Sequence, residues 1–438
     1  MRAEPGSGAG AGQGLTIAVV GAGVAGLSVA TLLDRAGHRV TVFERFDASR
    51  PVGSGLMLQP TGLAALERLG LRAEIERRGA RIDRLHGKTD RGTTIFDLGY
   101  ADLDPALYAV AVHRAALHGV LWQAFAAGTA ALETGFAVAD LDDRHADGAL
   151  SLVDEAGRRA GLFALVVDAS GAQSKLRTRL STRPPKPYPY GAVWTTAADI
   201  GIAPGRLDQR YVAARTMLGY LPIGSIDGTG EPLAALFWSL KPGDHGSWRD
   251  GFARWQAETQ ALWPALAPLI AALDGPEGFT LAHYQHFTAS RFHDGRLVLI
   301  GDAAHATSPQ LGQGANQGLL DAVALADALD STRDLPVALD RFDRARRRQI
   351  RFYQMASALM TPFFQSDSRV FAITRDLTFS RLKYIPYLRR EMVRMLAGLK
   401  TGMLSGQTPA AIADPFGRAG VKAPPDPSPA AGSLQAPR

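Results

Sequence analysis

Three glycine-rich stretches hold the residues whose types and spacing could do chemistry. "GAGVAG" at 21–26 sets Gly21, Gly23 and Gly26 in a G-x-G-x-x-G pattern, with Ala25 inside it. In that pattern Gly21 permits a tight turn, Gly23 lets backbone amides close on a pyrophosphate, and Gly26 lets a helix lie tight on a strand with its N-terminus facing the anion. Eighteen residues beyond Gly26 stands Glu44, followed by Arg45. An acidic side chain at that distance accepts hydrogen bonds from a ribose diol. "LIGDAAHATSPQLGQGANQG" at 299–318 places Asp302, Pro309, Gly312, Gln313, Gly314 and Asn316 between an apolar run and an amphipathic one, with three glycines in its last seven residues. Glycines so dense at a strand-to-helix junction let the backbone pass close to something that is not protein. The third stretch, "DASGAQSKLR" at 168–177, combines Asp168, Ser170, Gly171, Ser174 and Arg177.

The elements around these stretches must hold them in place. "LTIAVV" at 15–20 is a continuous apolar run suited to a strand buried on both faces; the glycine loop then opens a helix closed by Gly37, and "HRVTVFER" returns as a second strand. This is a β-α-β unit, and with Glu44 at its end it predicts an adenine-dinucleotide site, for NAD(P) or FAD, rather than a glycine-rich turn without a ligand. A nicotinamide domain alone has no use for a second glycine junction almost 300 residues downstream, which favours FAD. "PTGLAALERLGL" and "HRAALHGVLWQAFAA" read as helices, and "GLFALVVDASG" as another buried strand ending in a turn.

From about 185 to 240 the runs turn aromatic and β-branched between Gly and Pro, as in antiparallel hairpins. "SWRDGFARWQAETQALWPALAPLIAAL" then reads as helical, as do residues 315–404 with breaks near Pro336, Pro362 and Pro386. The fold class expected is α/β: a Rossmann-like dinucleotide domain from 15–184 and 281–330, an inserted antiparallel β-sheet domain at 185–280, and a helical C-terminal region at 331–405. Flexible tails are expected at 1–14 and 406–438.

Composition narrows the function classes. The chain has 438 residues, 46% hydrophobic and 21% charged, enough for a sizeable core in a globular protein. Its 48 Lys and Arg exceed 42 Asp and Glu, but a basic cluster such as "DRARRRQIR" at 343–351 reads as a solvated helix face, and no aromatic-interleaved patch points to nucleic acid. The absence of cysteine excludes disulfides, thiolate metal sites and a cysteine nucleophile. With no apolar leader and no run near ~18 apolar residues, a cytoplasmic protein without a membrane span is expected.

The motifs together resemble those of the class A flavoprotein aromatic hydroxylases of the p-hydroxybenzoate hydroxylase type, with their ubiquinone-biosynthesis and epoxidase relatives. The family signature, a strand followed by Gly-Asp-Ala-Ala-His, a Pro, and Gly-x-Gly with a nearby Asn, is matched by "GDAAH" at 301–305, Pro309, "GQG" at 312–314 and Asn316, with Asp321 on the next helix. The resemblance implies FAD as cofactor, with Asp302 at its ribityl or pyrophosphate portion and Pro309 along the flavin ring. It implies that backbone N–H groups around Leu311–Gly314 and the following helix dipole face the N1/C2-oxygen edge of the flavin. Arg114 matches the family arginine that reaches the FAD phosphates, and His305 is a packing and hydrogen-bonding residue of its motif. The middle motif departs from the family form Gly-Ala-Asp-Gly-x-x-Ser-x-x-Arg: Gly171, Ser174 and Arg177 are kept, but Ser170 stands at the usual Asp position. Either Asp168 substitutes from two residues away or the nicotinamide contact is altered.

The implied activity is monooxygenation. NADH or NADPH reduces the flavin, O2 adds at C4a, and the distal oxygen of the hydroperoxide passes to an aromatic ring or alkene, with no metal needed. Candidates to line an apolar substrate pocket are Tyr211, Met217, Tyr220, Phe237 and Trp238, each of which could equally be an ordinary core residue. Three other readings stay open: a flavin-dependent halogenase, though its Trp-x-Trp-x-Ile-Pro segment is missing; a double-bond reductase of the same fold; and a flavin-binding redox sensor without turnover. The partner expected is a small apolar or aromatic molecule, the protein being a monomer or homodimer. Residues 361–402, apolar and basic at helical spacing, read as a helical cap that leaves room for peripheral membrane contact.

Overall fold

The computed structural model describes residues 14–47, 54–146 and 148–414. The tail expected at the N-terminus lies outside them except for Gly14, and so does the C-terminal one beyond residue 414.

"LTIAVV" forms the strand Thr16–Val20, with Ile17, Ala18 and Val19 fully buried. It pairs in parallel with Arg39–Phe43 on one side and Leu165–Asp168 on the other, and Leu165–Asp168 pairs in parallel with Leu297–Leu299. The edge strands Ala131–Glu133 and His293–Asp294 complete a six-stranded sheet. Parallel neighbours need long crossovers, so strands far apart in sequence end side by side. The consequence decides the site: the glycine loop after Val20, the turn after Asp168 and the loop after Leu299 all leave the carboxyl edge of adjacent strands, where α/β folds bind ligands.

The helices that position the site are α1 (Val24–Arg35), α2 (Pro60–Arg68), α3 (Arg114–Ala126), α4 (Gly314–Ser331), α5 (Leu335–Phe364), α6 (Arg369–Leu382), α7 (Pro386–Leu396) and α8 (Pro409–Ala413). Pro336 and Pro386 sit in first turns, where a missing N–H costs nothing. Pro362 does not break α5 where expected; it falls in the last turn, and the helix runs on to Phe364. Residues 406–414, expected in the tail, carry α8, whose Ile412 and Ala413 are buried. Arg68 of α2 fastens it by donating to the Ala413 carbonyl at 2.9 Å.

A second sheet has seven strands, in the order Thr280–Ala282, Gly191–Ala198, Leu233–Leu240, Thr216–Gly224, Arg206–Val212, Arg84–Thr89, Thr94–Gly99. The last two come from upstream of the insert expected at 185–280, and Arg84–Thr89 joins Arg206–Val212 in parallel. Each face of this sheet builds a different core. Met217, Tyr211 and Phe237 belong to the main core shared with the dinucleotide domain, while Tyr220 packs with Trp248, Phe252, Trp255 and Trp263 in a second. The helix expected over 247–273 is split into His245–Asp250, Phe252–Leu262 and Ala267–Ala271, broken at Gly251 and at Trp263–Pro264.

Candidate functional site

A cleft of about 330 Å³ opens along the carboxyl edge of the first sheet and brings together Gly21, Gly23, Glu44, Arg45, Arg114 and Ser170. Gly21 has φ +99°, and a Cβ on Gly26 would stand 1.9 Å from the Gly21 carbonyl oxygen, so neither position takes a side chain as the loop stands. A Cβ on Gly23 would meet nothing within 4 Å. Gly23 is also the N-cap of α1, with no side-chain cap and no acidic residue in the first turn. The free amides of that turn and the positive end of the helix dipole therefore suit an anion. Glu44, buried, accepts from the Ala22 N–H at 2.8 Å and the Phe46 N–H at 3.2 Å, which ties the end of the second strand to the glycine loop.

Arg114 opens α3 across the cleft, exposed, its backbone anchored to the Ser54 carbonyl at 2.8 Å. One turn later His118 holds the Ala22 carbonyl at 3.2 Å through Nε2. Burial pushes the His118 pKa down against the pull of Glu44, and since a carbonyl only accepts, Nε2 is the protonated nitrogen. Sequence reading missed His118 although its i+4 spacing from Arg114 carries the signal.

The stretch 301–318 supplies a second uncapped helix start. Gly301 has φ +59°, and the 3₁₀ turn Pro309–Leu311 ends on Gly312, also at φ +59°. The first turn of α4 carries no acidic residue and no side-chain cap, as in α1. Asp302 is partly open to solvent and crowded elsewhere. Burial raises its carboxyl pKa, with His305, Arg114 and Arg177 opposing. Its Oδ1 would lie 4.0 Å from a Cβ on Gly314. Gly318 serves packing instead of a ligand: Ala25 of α1 fits a notch 3.2 Å from the Cβ positions of Gly301 and Gly318, where α1 crosses α4.

Two candidate residues turn their side chains to the protein itself. Asn316 spends its side chain on backbone: Oδ1 accepts from the Gln59 N–H at 2.9 Å, and Nδ2 donates to the carbonyls of Gly312 at 2.8 Å and Met57 at 3.2 Å. Its side chain braces the loop and has no N–H left for a cofactor, while its backbone N–H stays in the uncapped first turn of α4. Gln313 turns its side chain inward and donates to the Leu396 carbonyl at 2.8 Å, which leaves only its backbone for a cofactor. The residue sequence reading missed here is Gln59. Its Oε1 takes the Tyr100 hydroxyl at 2.5 Å while Nε2 is buried without a partner, 3.4 Å from the Cβ position of Gly312. An orphan donor beside an αL glycine is what a ring carbonyl could satisfy.

Behind the loop, Asp321 accepts from the Gly301 N–H at 2.8 Å, meets His305 Nε2 at 2.6 Å and takes Arg346 Nε at 2.8 Å. His305 is thus a buried brace of the loop. Arg346 corrects the reading of "DRARRRQIR" as a solvated face, since it alone of that run's arginines is fully buried, as are Gln349 and Ile350 beside it. In the middle motif Asp168 is fully buried and folds back on its own turn, accepting from Ser170 N–H at 3.0 Å and from the hydroxyls of Ser170 and Ser174. It braces the turn and does not reach the cleft, where Ser170 stands instead. Arg177, almost fully buried, lies 4.6 Å over the Phe287 ring and donates to the Gly171 carbonyl at 2.8 Å, while its Nε and Nη1 lack partners. Burial lowers its pKa, and Asp168 and Asp302 support the charge.

Of the pocket candidates, Tyr211, Met217 and Phe237 share the inner face of the second sheet, where Trp194 lies 4.6 Å from Phe237, ring to ring. That face packs on the strand Gly55–Leu58: a Cβ on Gly55 would lie 2.7 Å from Ile223 and 2.8 Å from Ala235. Gly55–Leu58 in turn leads to Gln59 and the Gly312 loop. Tyr220 and Trp238 are corrected. Successive strand residues face opposite sides, so Trp238 points away beside Phe237 and packs edge-on to Trp255, 6.0 Å between ring centroids. The Tyr220 hydroxyl is likewise held on the far side by the Ile200 N–H at 2.9 Å and by Asp199.

The sequence matches the family model for the FAD binding domain over residues 15–350, and the chain belongs to that family. It is 31% identical over 333 residues to 3-amino-4-hydroxybenzoate 2-monooxygenase of Streptomyces cremeus, covering 74% of this chain and 80% of that protein. To 6-hydroxynicotinate 3-monooxygenase of Bordetella bronchiseptica it is 28% identical, covering 72% and 83%. Its fold is shared with Klebsiella pneumoniae HpxO complexed with FAD and uric acid, at TM-score 0.74 and 22% identity over 89% of this chain and 98% of that one. The protein is therefore an FAD-dependent monooxygenase of the class A hydroxylase type, an oxidoreductase. The two uncapped helix starts, the glycine cradle and the orphaned Gln59 donor fit FAD. Among the described residues, no helix is long and apolar enough to cross a membrane.

Proposed function

We propose that this monooxygenase hydroxylates an apolar aromatic small molecule, with NADH or NADPH and O2 as co-substrates. The observation that carries the reading is the convergence of two anion-ready helix starts with an aromatic sheet face beyond the second of them. FAD held there would supply the redox chemistry, hydride acceptance and transfer of one atom of O2 to the substrate with the other leaving as water.

The side chains and amides divide the remaining tasks. First-turn amides of α1 at Gly23 hold the pyrophosphate, Arg114 adds positive charge, and Glu44 accepts from the ribose. Backbone N–H groups at Gly312–Gly314 and the α4 dipole would hold the flavin ring and stabilise negative charge on it when reduced. Trp194, Tyr211, Met217 and Phe237 exclude water and take the aromatic substrate. Polar groups on that wall fix its orientation: the Tyr284 hydroxyl, accepting from Trp194 Nε1 at 3.0 Å, and Gln209, accepting from the Tyr211 hydroxyl at 2.8 Å.

The test is a visible spectrum of the purified protein, followed by NADH and NADPH oxidation against a panel of phenols, hydroxyquinolines and aminohydroxybenzoates with oxygen uptake recorded. Yellow protein with substrate-stimulated, oxygen-coupled oxidation and a product heavier by one oxygen is expected. Oxidation that no aromatic compound stimulates would overturn the substrate reading.

A further inference from the structure

Seven of the fifteen large apolar side chains exposed among the described residues fall between Val370 and Tyr387. On α6 they follow the helical period: Val370, Ile373 and Leu377 are 71%, 59% and 51% exposed, and Arg381 and then Tyr384, at 76%, continue the same spacing. Ile385 and Tyr387 extend the apolar surface into the start of α7. Exposed cations flank it at Arg369, Arg381 and Arg390. Among residues 368–390 the single carboxylate is Asp376, and Arg375 already pairs with it at 2.7 Å. An apolar stripe ringed by cations, with tyrosines at one end and no free acid, complements a surface that is apolar within and anionic at its rim.

The inner side of the same helix touches the pocket wall. Arg375, fully buried, lies 5.0 Å over the Tyr211 ring and donates to the Ala213 carbonyl at 2.8 Å, and Phe379 packs 6.1 Å from Phe364, itself 5.3 Å from Tyr211. Helix α6 is thus one helix thick between the inner face of the second sheet and the exposed stripe.

We propose that the outer face of α6 docks on an anionic phospholipid bilayer and sets the pocket wall at its surface, so that the aromatic substrate carries a lipophilic chain and is taken from the membrane. The substrate half of this rests on the pocket reading given above; the docking half is tested without turnover. Full-length FAD-loaded protein is sedimented with vesicles of phosphatidylcholine alone and of equal phosphatidylcholine and phosphatidylglycerol, at low and high salt. The expected result is binding to the anionic vesicles, weakened by salt. The triple variant Val370→Glu, Ile373→Glu, Leu377→Glu should lose roughly tenfold or more of it, with its flavin spectrum and Tm unchanged.

Failure of the wild type to sediment with anionic vesicles, or equal binding by the triple variant, overturns the proposal. A wild-type dimer that the triple variant converts to monomer, with no vesicle binding, overturns it in favour of a second copy on this face. A protein that binds vesicles but oxidises no aromatic compound would instead sink the pocket reading and leave the docking intact.

Discussion

Asp321 shows how much one carboxylate can anchor when both its oxygens are used. Burial alone would raise its pKa, but His305 and Arg346 outweigh that and hold it below the ordinary carboxylate range. Asp321→Asn removes the charge and leaves Arg346 buried without its counter-ion, a loss of about 3 kcal/mol by analogy with broken buried pairs. A depressed folded pKa stabilises fully above the unfolded value, about 3.9, and ceases to do so as pH falls through the folded value. Urea melts of wild type and variant should therefore differ by a constant amount above about pH 5 and converge in more acid solution. Glu44 is read by a different measurement, because it faces the cleft. Glu44→Ala should weaken FAD binding roughly tenfold to a hundredfold, the worth of a charged hydrogen bond, in a fluorescence titration of apoprotein. The roles of Gly21 and Gly23 are legible in sequence because they follow from a local spacing. The inward turn of Gln313 and the backbone duty of Asn316 are not, since their partners at Leu396, Gln59 and Met57 lie far along the chain.

At the scale of elements, two helix starts and one crossing shape the site. The β-α-β unit is legible because Ile17–Val19 must be buried on both faces and Gly37 closes α1. The crossing of α1 over α4 is not, because nothing local marks Gly318 as the partner of Ala25. Three glycines near 312–318 look alike in sequence, yet Gly312 is demanded by φ +59° and Gly318 by a neighbouring helix. Two substitutions separate these demands. Gly312→Ala puts a Cβ on left-handed backbone, costing about 1–2 kcal/mol; it should weaken FAD binding with only a small fall in Tm. Gly318→Val pushes α1 from α4 and should lower stability by about 1–3 kcal/mol through overpacking, with FAD affinity falling only as the fold loosens. Thermal melts with and without added FAD distinguish the two: the first variant should gain less Tm from FAD than wild type does, the second a wild-type increment.

Over the whole molecule, one sheet closes two cores at once. Its makeup resists sequence reading for a topological reason: Arg84–Thr89 and Thr94–Gly99 enter it from the far side of a dinucleotide-domain segment, and Arg84–Thr89 pairs in parallel with a strand more than a hundred residues on. Alternation along Leu233–Leu240 then sorts neighbours between the cores, Phe237 to the side of the Gly312 loop and Trp238 to the helices of 245–271. The sorting has opposite kinetic and thermodynamic signatures. Phe237→Leu is a volume-reducing apolar swap costing about 1 kcal/mol of stability. On the proposed substrate-binding face, it should raise the aromatic substrate's KM several-fold and release more reduced oxygen without product. Trp238→Leu removes a ring packed on Trp255 and should cost roughly 2–3 kcal/mol, yet leave KM and coupling unchanged at temperatures well below its Tm. If instead Trp238→Leu moved KM while Phe237→Leu did not, the substrate would have to lie among the helices of 245–271, away from both uncapped helix starts.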